Sequence, residues 1–449
     1  MQGRAMWRVI FALQGSRQNN LFPQVKRMDI KEKIENMKPF HMWLLFVLLY
    51  VSFSTEVLWR PFIFAEDTLF LNNALTDGVK SLFYRHAEYW EMISRLTANI
   101  AIFLGRGANS YLVTTFVMKA VAIAIFSYYI LYFAIADFSW LVKERWQRFL
   151  ISFIVLVWFG NFFNSYYNIT NIHWTGEFFV FLVGLNLVIN RKFPGVLCVI
   201  MCLLTCMQSP EACILTVPFA IYIFDRIREK KICFTEMLVY ILVVMTAFLQ
   251  FYVIKKSSNG VHVTDINHIF SVTPKTLISV LSVSSYVFGN EVVSYLSPAL
   301  RMLLGAFVWI FLIYSCIKIN RIYIAYFVLY VAVFLFLHYT IIHIKPLDSA
   351  LSYVDSDIWI HSCPAAVVAL TFFCIVKNCG FIWDSSAIKL AALLFSTIIL
   401  VSQISHAGKI SDLSSPYKSY DYNMLGMWQI EETNKEVDFN SNNYKNSVI

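Results

Sequence analysis

The sequence predicts an all-α polytopic membrane protein of about eleven transmembrane helices, with amphipathic helices on the membrane surface in the first external loop. Three observations carry this. The chain is 58% hydrophobic and only 14% charged. Its mean hydropathy is +0.61, and apolar runs of about 15 to 25 residues recur along it, more than one soluble core can absorb. Its basic residues fall in short clusters between those runs rather than on one face, so the net charge of +8 reads as topology and not as a nucleic-acid surface.

Residues 1–40 are polar and basic and precede an apolar run without a small-residue cleavage site, which reads as an uncleaved signal anchor with a cytoplasmic N-terminus. Residues 41–405 form the transmembrane domain, with spans expected near 41–59, 108–138, 149–163, 176–189, 194–207, 210–224, 232–254, 299–317, 322–342, 364–377 and 388–405. Those between 149 and 224 are short and call for tight hairpins or re-entrant pieces. Loops assigned to the cytoplasm hold 13 Lys/Arg and 4 Asp/Glu, whereas those assigned outside hold 9 basic and 11 acidic residues, as an inside-positive topology requires. The tail 406–449 is polar and slightly acidic and reads as disordered or as a small external cap.

With sides assigned, the unusual polar residues gather outside. The first external loop, 60–107, carries the adjacent Glu66 and Asp67, then Arg85, Glu91 and Arg95. Apolar positions at helical spacing in 68–83 and 89–104 predict two surface helices, with Arg85 and Arg95 placed to meet an anionic headgroup. Further clusters are Asn171, His173, Trp174 and Glu177; the turn Gln208-Ser-Pro-Glu211; and His343 through Tyr353 to His361. The second long external loop, 255–298, is expected to fold over the resulting cleft.

Each feature has a plainer reading. Glu66 and Asp67 suit the N-terminus of a surface helix beginning near Thr68; capping is preferred for Glu66 and catalysis for Asp67. Arg85 and Arg95 also suit pairing with Glu88 and Glu91 or snorkelling to headgroups, and His173 with Trp174 suits an interfacial anchor. Asp355, Asp357 and His361 resemble a metal cluster, but loop carboxylates are more often solvated, so no metal and no cofactor is expected. Seven of the nine cysteines lie inside apolar runs, and Cys198, Cys202 and Cys206 mark one helix face, so they read as packing residues.

The order of these features resembles the multi-spanning GT-C glycosyltransferases, above all the bacterial serotype-converting O-antigen glucosyltransferases. The resemblance is carried by the acidic pair in FAEDTLFLNNALTDGVKSLF, the surface helix YWEMISRLTANI with Arg95, the stretch Asn168-Ile-Thr-Asn-Ile-His-Trp174, and the turn ahead of SPEACILTVPFAIYIF. It covers most of 41–380. Ala87-Glu88-Tyr89-Trp90 departs from the group, which often has a Gly after an aromatic there. The resemblance implies transfer of one sugar, with glucose expected, from a polyprenyl-phosphate donor to an O-antigen or other lipid-linked glycan at the periplasmic face of a bacterial inner membrane. Asp67 would be the acidic catalytic residue with Glu66 in reserve, and Arg95 and Arg85 would hold the donor phosphate. His173, Trp174, Asn171, Glu211, Tyr353 and His361 would line the substrates. A donor synthase and a flippase are expected partners; nucleic acid is not. Two rivals stand beside this reading: an O-antigen polymerase, and a lipid-linked glycan flippase or transporter without chemistry.

Overall fold

The computed structural model describes residues 30–52, 65–85, 89–108, 111–160, 169–257, 266–288, 293, 295–344 and 361–378. Met1–Met37 forms one compact unit and Lys38–Ile449 another. Of the first, the described part is helix α1 (Ile30–Glu35), whose residues are mostly exposed. The second contains α2 (Pro39–Ser52), α3 (Ala65–Asp77), α4 (Met92–Gly107), α5 (Tyr111–Ile135), α6 (Arg145–Gly160), α7 (Ile172–Asn190) and α8 (Val196–Cys206). It continues with α9 (Thr216–Arg228), α10 (Phe234–Ser257), α11 (Ile266–Ser284), α12 (Pro298–Ile319), α13 (Ile322–Ile344) and α14 (Ser362–Asn378).

Five of these, α5, α7, α10, α12 and α13, are long and apolar enough to cross a membrane. Large apolar side chains such as Phe248, Ile310 and Ile317 stand exposed on α10 and α12, an arrangement that suits lipid rather than water. The described elements are all helices, and the chain is therefore an α-helical, multi-pass membrane protein. The span expected at 388–405 and the tail 406–449 lie outside the described residues.

Successive helices run between two ends of the bundle. At one end Asn190 of α7 donates to the Asp137 carbonyl (2.9 Å), Asn378 of α14 donates to the Leu141 carbonyl (2.9 Å), and Trp140 meets Tyr323 at the start of α13. At the other end α3 meets the start of α7, the turn after α8 meets the start of α4, and Gln250 of α10 exchanges two hydrogen bonds of 3.1 Å with the backbone of Trp90. Helix ends are set locally: Ser297 caps α12 ahead of Pro298, while Arg191 and Asn320 take left-handed φ values of 53° and 48° to stop α7 and α12.

Small residues let helices touch. A Cβ on Gly305 would sit 1.7 Å from the Leu281 carbonyl oxygen, so α12 and α11 are in backbone contact there. Trp309 of α12 donates to Ser284 of α11 (2.9 Å), so the two helices run in the same direction where they touch. Val293 and Leu296, whose carbonyls accept from Arg301 Nε, lie beside the first turn of α12. A loop folding over a cleft is thus too simple a picture of 255–298: its middle is a 19-residue helix wedged against α12 and α13.

Two other expectations change. Helix α3 begins at Ala65, so Glu66 and Asp67 lie inside its first turn rather than ahead of a helix at Thr68. Helix α7 begins at Ile172, which moves His173, Trp174 and Glu177 from a loop into a buried helix. The short pieces persist: α8 has 11 residues and is followed by a five-residue 3-10 turn, Glu211–Leu215.

Candidate functional site

Helix α4 is partly inverted relative to a soluble helix, with apolar residues on its outer face and polar ones mixed with Ile93, Ala98, Ala101 and Ile102 on its buried face. Leu96, Ile100 and Phe103 are exposed, Phe103 at 75%, while Ser94, Arg95 and Thr97 are buried. That inversion suits a helix whose outer face meets lipid and whose polar face closes a site. Its inner face packs with Phe70, Leu71 and Ala74 of α3 and with Met118, Ile169 and Ile172.

Asp67 is 3% exposed and joins two stretches far apart in sequence. Its Oδ2 accepts from the Ile169 amide (3.1 Å), and its Oδ1 accepts from the Thr170 amide (3.0 Å) and hydroxyl (2.6 Å). The carboxylate therefore caps the turn leading into α7, with charge-assisted bonds that fix its position. Glu66 lies in the same first turn of α3, and its side chain is outside the described residues.

Asp67 and Phe70 are three residues apart and share a face of α3. The Arg95 guanidinium lies over the Phe70 ring at 5.1 Å and near the Tyr84 ring at 5.9 Å. Arg95 is 1% exposed; its Nη1 donates to the Ser81 carbonyl (3.2 Å), while Nε and Nη2 have no hydrogen-bond partner among the described residues. A buried cation with two idle donor nitrogens is costly, and an oxyanion is the group that satisfies such a fork. Burial pushes this guanidinium below its ordinary range, opposed by the nearby Glu91 and Tyr84. Arg85, the second cation expected at the phosphate, is exposed on the connection after the 3-10 turn Gly78–Phe83.

The turn after α8 holds α4 in place. Gln208 Oε1 accepts from the Ile93 amide (2.7 Å) and the Ser94 amide (3.2 Å), and its Nε2 donates to the Ser94 hydroxyl (2.8 Å). One side chain thus satisfies two of the orphan donors at the start of α4. Beside it, Glu211 is buried and bonded by Ser209.

Of the remaining expected residues, His173 is buried with Nδ1 2.6 Å from the Thr170 carbonyl, its ring 4.2 Å from that of Trp174, which is buried too. Asn171 is the buried residue at the N-terminal boundary of α7. His361 is half-buried, its Nδ1 2.6 Å from the Tyr339 hydroxyl. Tyr353, like Asp355 and Asp357, lies outside the described residues; among those described, no group of three His, Cys, Asp or Glu is arranged to hold a metal ion.

Sequence reasoning passed over His338, which is fully buried in α13. A lone ionisable residue within an apolar span was the available signal. An apolar cleft of about 480 Å³, lined by Pro39, Trp43, Tyr128 and Met201 among others, holds no charged group and lies away from Asp67 and Arg95. The three cysteines of α8 are buried on one face, as packing residues. No family model matches the chain, and no curated protein or solved structure matches it either.

Proposed function

We propose that the chain is a polyprenyl-phosphate-dependent glycosyltransferase of GT-C-like architecture, with about eleven spans in a bacterial inner membrane. In this reading the N-terminus is cytoplasmic, and the end that carries Asp67 faces the periplasm. The observation that carries it is that one face of α3 bears both a fixed carboxylate, Asp67, and the Phe70 ring that lies against a buried cation, Arg95, two of whose nitrogens have no hydrogen-bond partner among the described residues.

Sugar transfer asks for those two charges. The acceptor hydroxyl gives its proton to Asp67 as its oxygen bonds to the anomeric carbon, a step worth typically about 10² to 10⁴-fold. The bond from that carbon to phosphate breaks, and the diester leaves as a monoester dianion whose developing charge Arg95 stabilises. Glu66 is the second carboxylate in reach of this chemistry by sequence. His173, Trp174, Asn171, Glu211 and His361 lie at the same end and are proposed to hold the sugars. The donor dissolves in the lipid, which accords with the apolar outer face of α4.

The test is Asp67→Asn in the native host with protein level matched. The expected result is loss of the added sugar from the surface polysaccharide; an unchanged glycan contradicts the assignment. One observation favours a second reading, transport of a lipid-linked glycan: Glu177 and His338 meet at 3.0 Å inside two helices able to cross a membrane, where such residues often mark proton pathways. A transporter changes where the glycan is found and leaves its composition alone, so sugar analysis separates the two.

A further inference from the structure

A second buried group stands apart from Asp67 and Arg95. Glu177 of α7 and Glu211 of the 3-10 turn are 1% and 2% exposed, and both approach one hydroxyl. Ser209 Oγ lies 2.6 Å from Glu211 Oε2 and 3.1 Å from Glu177 Oε1. A serine hydroxyl carries a single proton and donates once. If both acids were ionised, the second contact would set lone pair against lone pair in a buried, low-dielectric site. The contact becomes favourable when one carboxyl carries a proton and donates it to Ser209, which donates in turn to the other.

The far oxygen of Glu177 faces His338, whose Nδ1 is 3.0 Å from Oε2. His338 is fully buried, and neither ring nitrogen has an aligned hydrogen-bond partner among the described residues. Among the described residues, the other titratable groups facing the cluster include Cys363 of α14, beside Glu177, and Tyr339 of α13, which is bonded to His361. From α4, Glu91 reaches the turn through Gln208 Nε2 at 3.4 Å.

We infer that Glu177 and Glu211 form a proton-binding site that holds one proton through Ser209, with the His338 ring packed against its Glu177 side. The site ties α7, the 208–211 turn and α13 together at the Asp67 end. It stands without the sugar-transfer reading, since it needs no substrate.

The experiment is infrared spectroscopy of the full chain in lipid nanodiscs at neutral pH, with glutamate side chains labelled with carbon-13. The expected result is a protonated-carboxyl stretch carrying the glutamate label and shifting on exchange into D₂O. Glu211→Gln or Glu177→Gln removes it, and Ser209→Ala, which keeps both acids, moves it to the frequency of an unbonded acid. Absence of the band from the native protein overturns the inference whatever the variants do. So does a band that stays unchanged in all three.

Discussion

Two groups of charges, one at each end of the bundle, are handled in opposite ways. At the Asp137 end one group is paired in the open: Lys192 bridges to Asp137, and Arg191, itself 52% exposed, reaches Asp225 at 3.3 Å and Glu229 at 2.7 Å. At the Asp67 end Asp67 and Arg95 are buried, with backbone amides and a hydroxyl against the first and ring faces against the second. Water helps to solvate that exposed group, so mutation within it is cheap. The protein itself does it for Asp67 and Arg95, and two nitrogens of Arg95 have no hydrogen-bond partner among the described residues.

Mutation can sharpen that contrast. The largest effect is expected for Asp67→Ala, which strands two buried amides and a hydroxyl at about 1–3 kcal/mol for each group left unsatisfied. Thermal unfolding in detergent reads it, and a shift no larger than that of a surface variant would erase the distinction between the ends. Gln208→Ala comes next, because it strands the Ile93 and Ser94 amides but leaves them at a helix start, where water can enter. Arg191→Ala should cost about 0–1 kcal/mol despite breaking two ion pairs, since both are exposed and screened.

The smallest effect is one of pH. The Lys192 hydrogen bond, helped by Ser139, lowers the Asp137 carboxyl from 3.8 to about 2. A carboxyl depressed on folding stabilises the fold above its unfolded value and loses that contribution as pH falls toward the folded one. Native protein should therefore lose a little stability between about pH 4 and about pH 2 that Asp137→Asn does not lose. Coincident acid-unfolding curves would remove the pair from the account.

Much of this architecture is legible in the sequence, and what is not has physical causes. Apolar length gives the long helices, and the alternation of basic and acidic loops matches the alternation of helix ends. Asp67 stands out because a carboxylate beside an apolar run must be satisfied by something. Its partners, the Ile169 and Thr170 amides, are about a hundred residues away and carry no local signal. The start of α7 is hidden because Asn171, His173 and Glu177 dilute its hydropathy, although all three turn inward. Pro274 and several serines disguise α11, in which Ser284 bonds back to the Val280 carbonyl (2.7 Å).

The central claim is that Arg95 is kept for an anion and not for the fold. Arg95→Met tests it most directly, by measuring thermal stability and sugar transfer on the same preparation. Methionine fills the buried stem without a charge, and the Ser81 carbonyl keeps its bond from the Tyr84 amide (3.1 Å). The account predicts an unchanged or higher melting temperature with transfer lost; a melting temperature several degrees lower with transfer intact would contradict it.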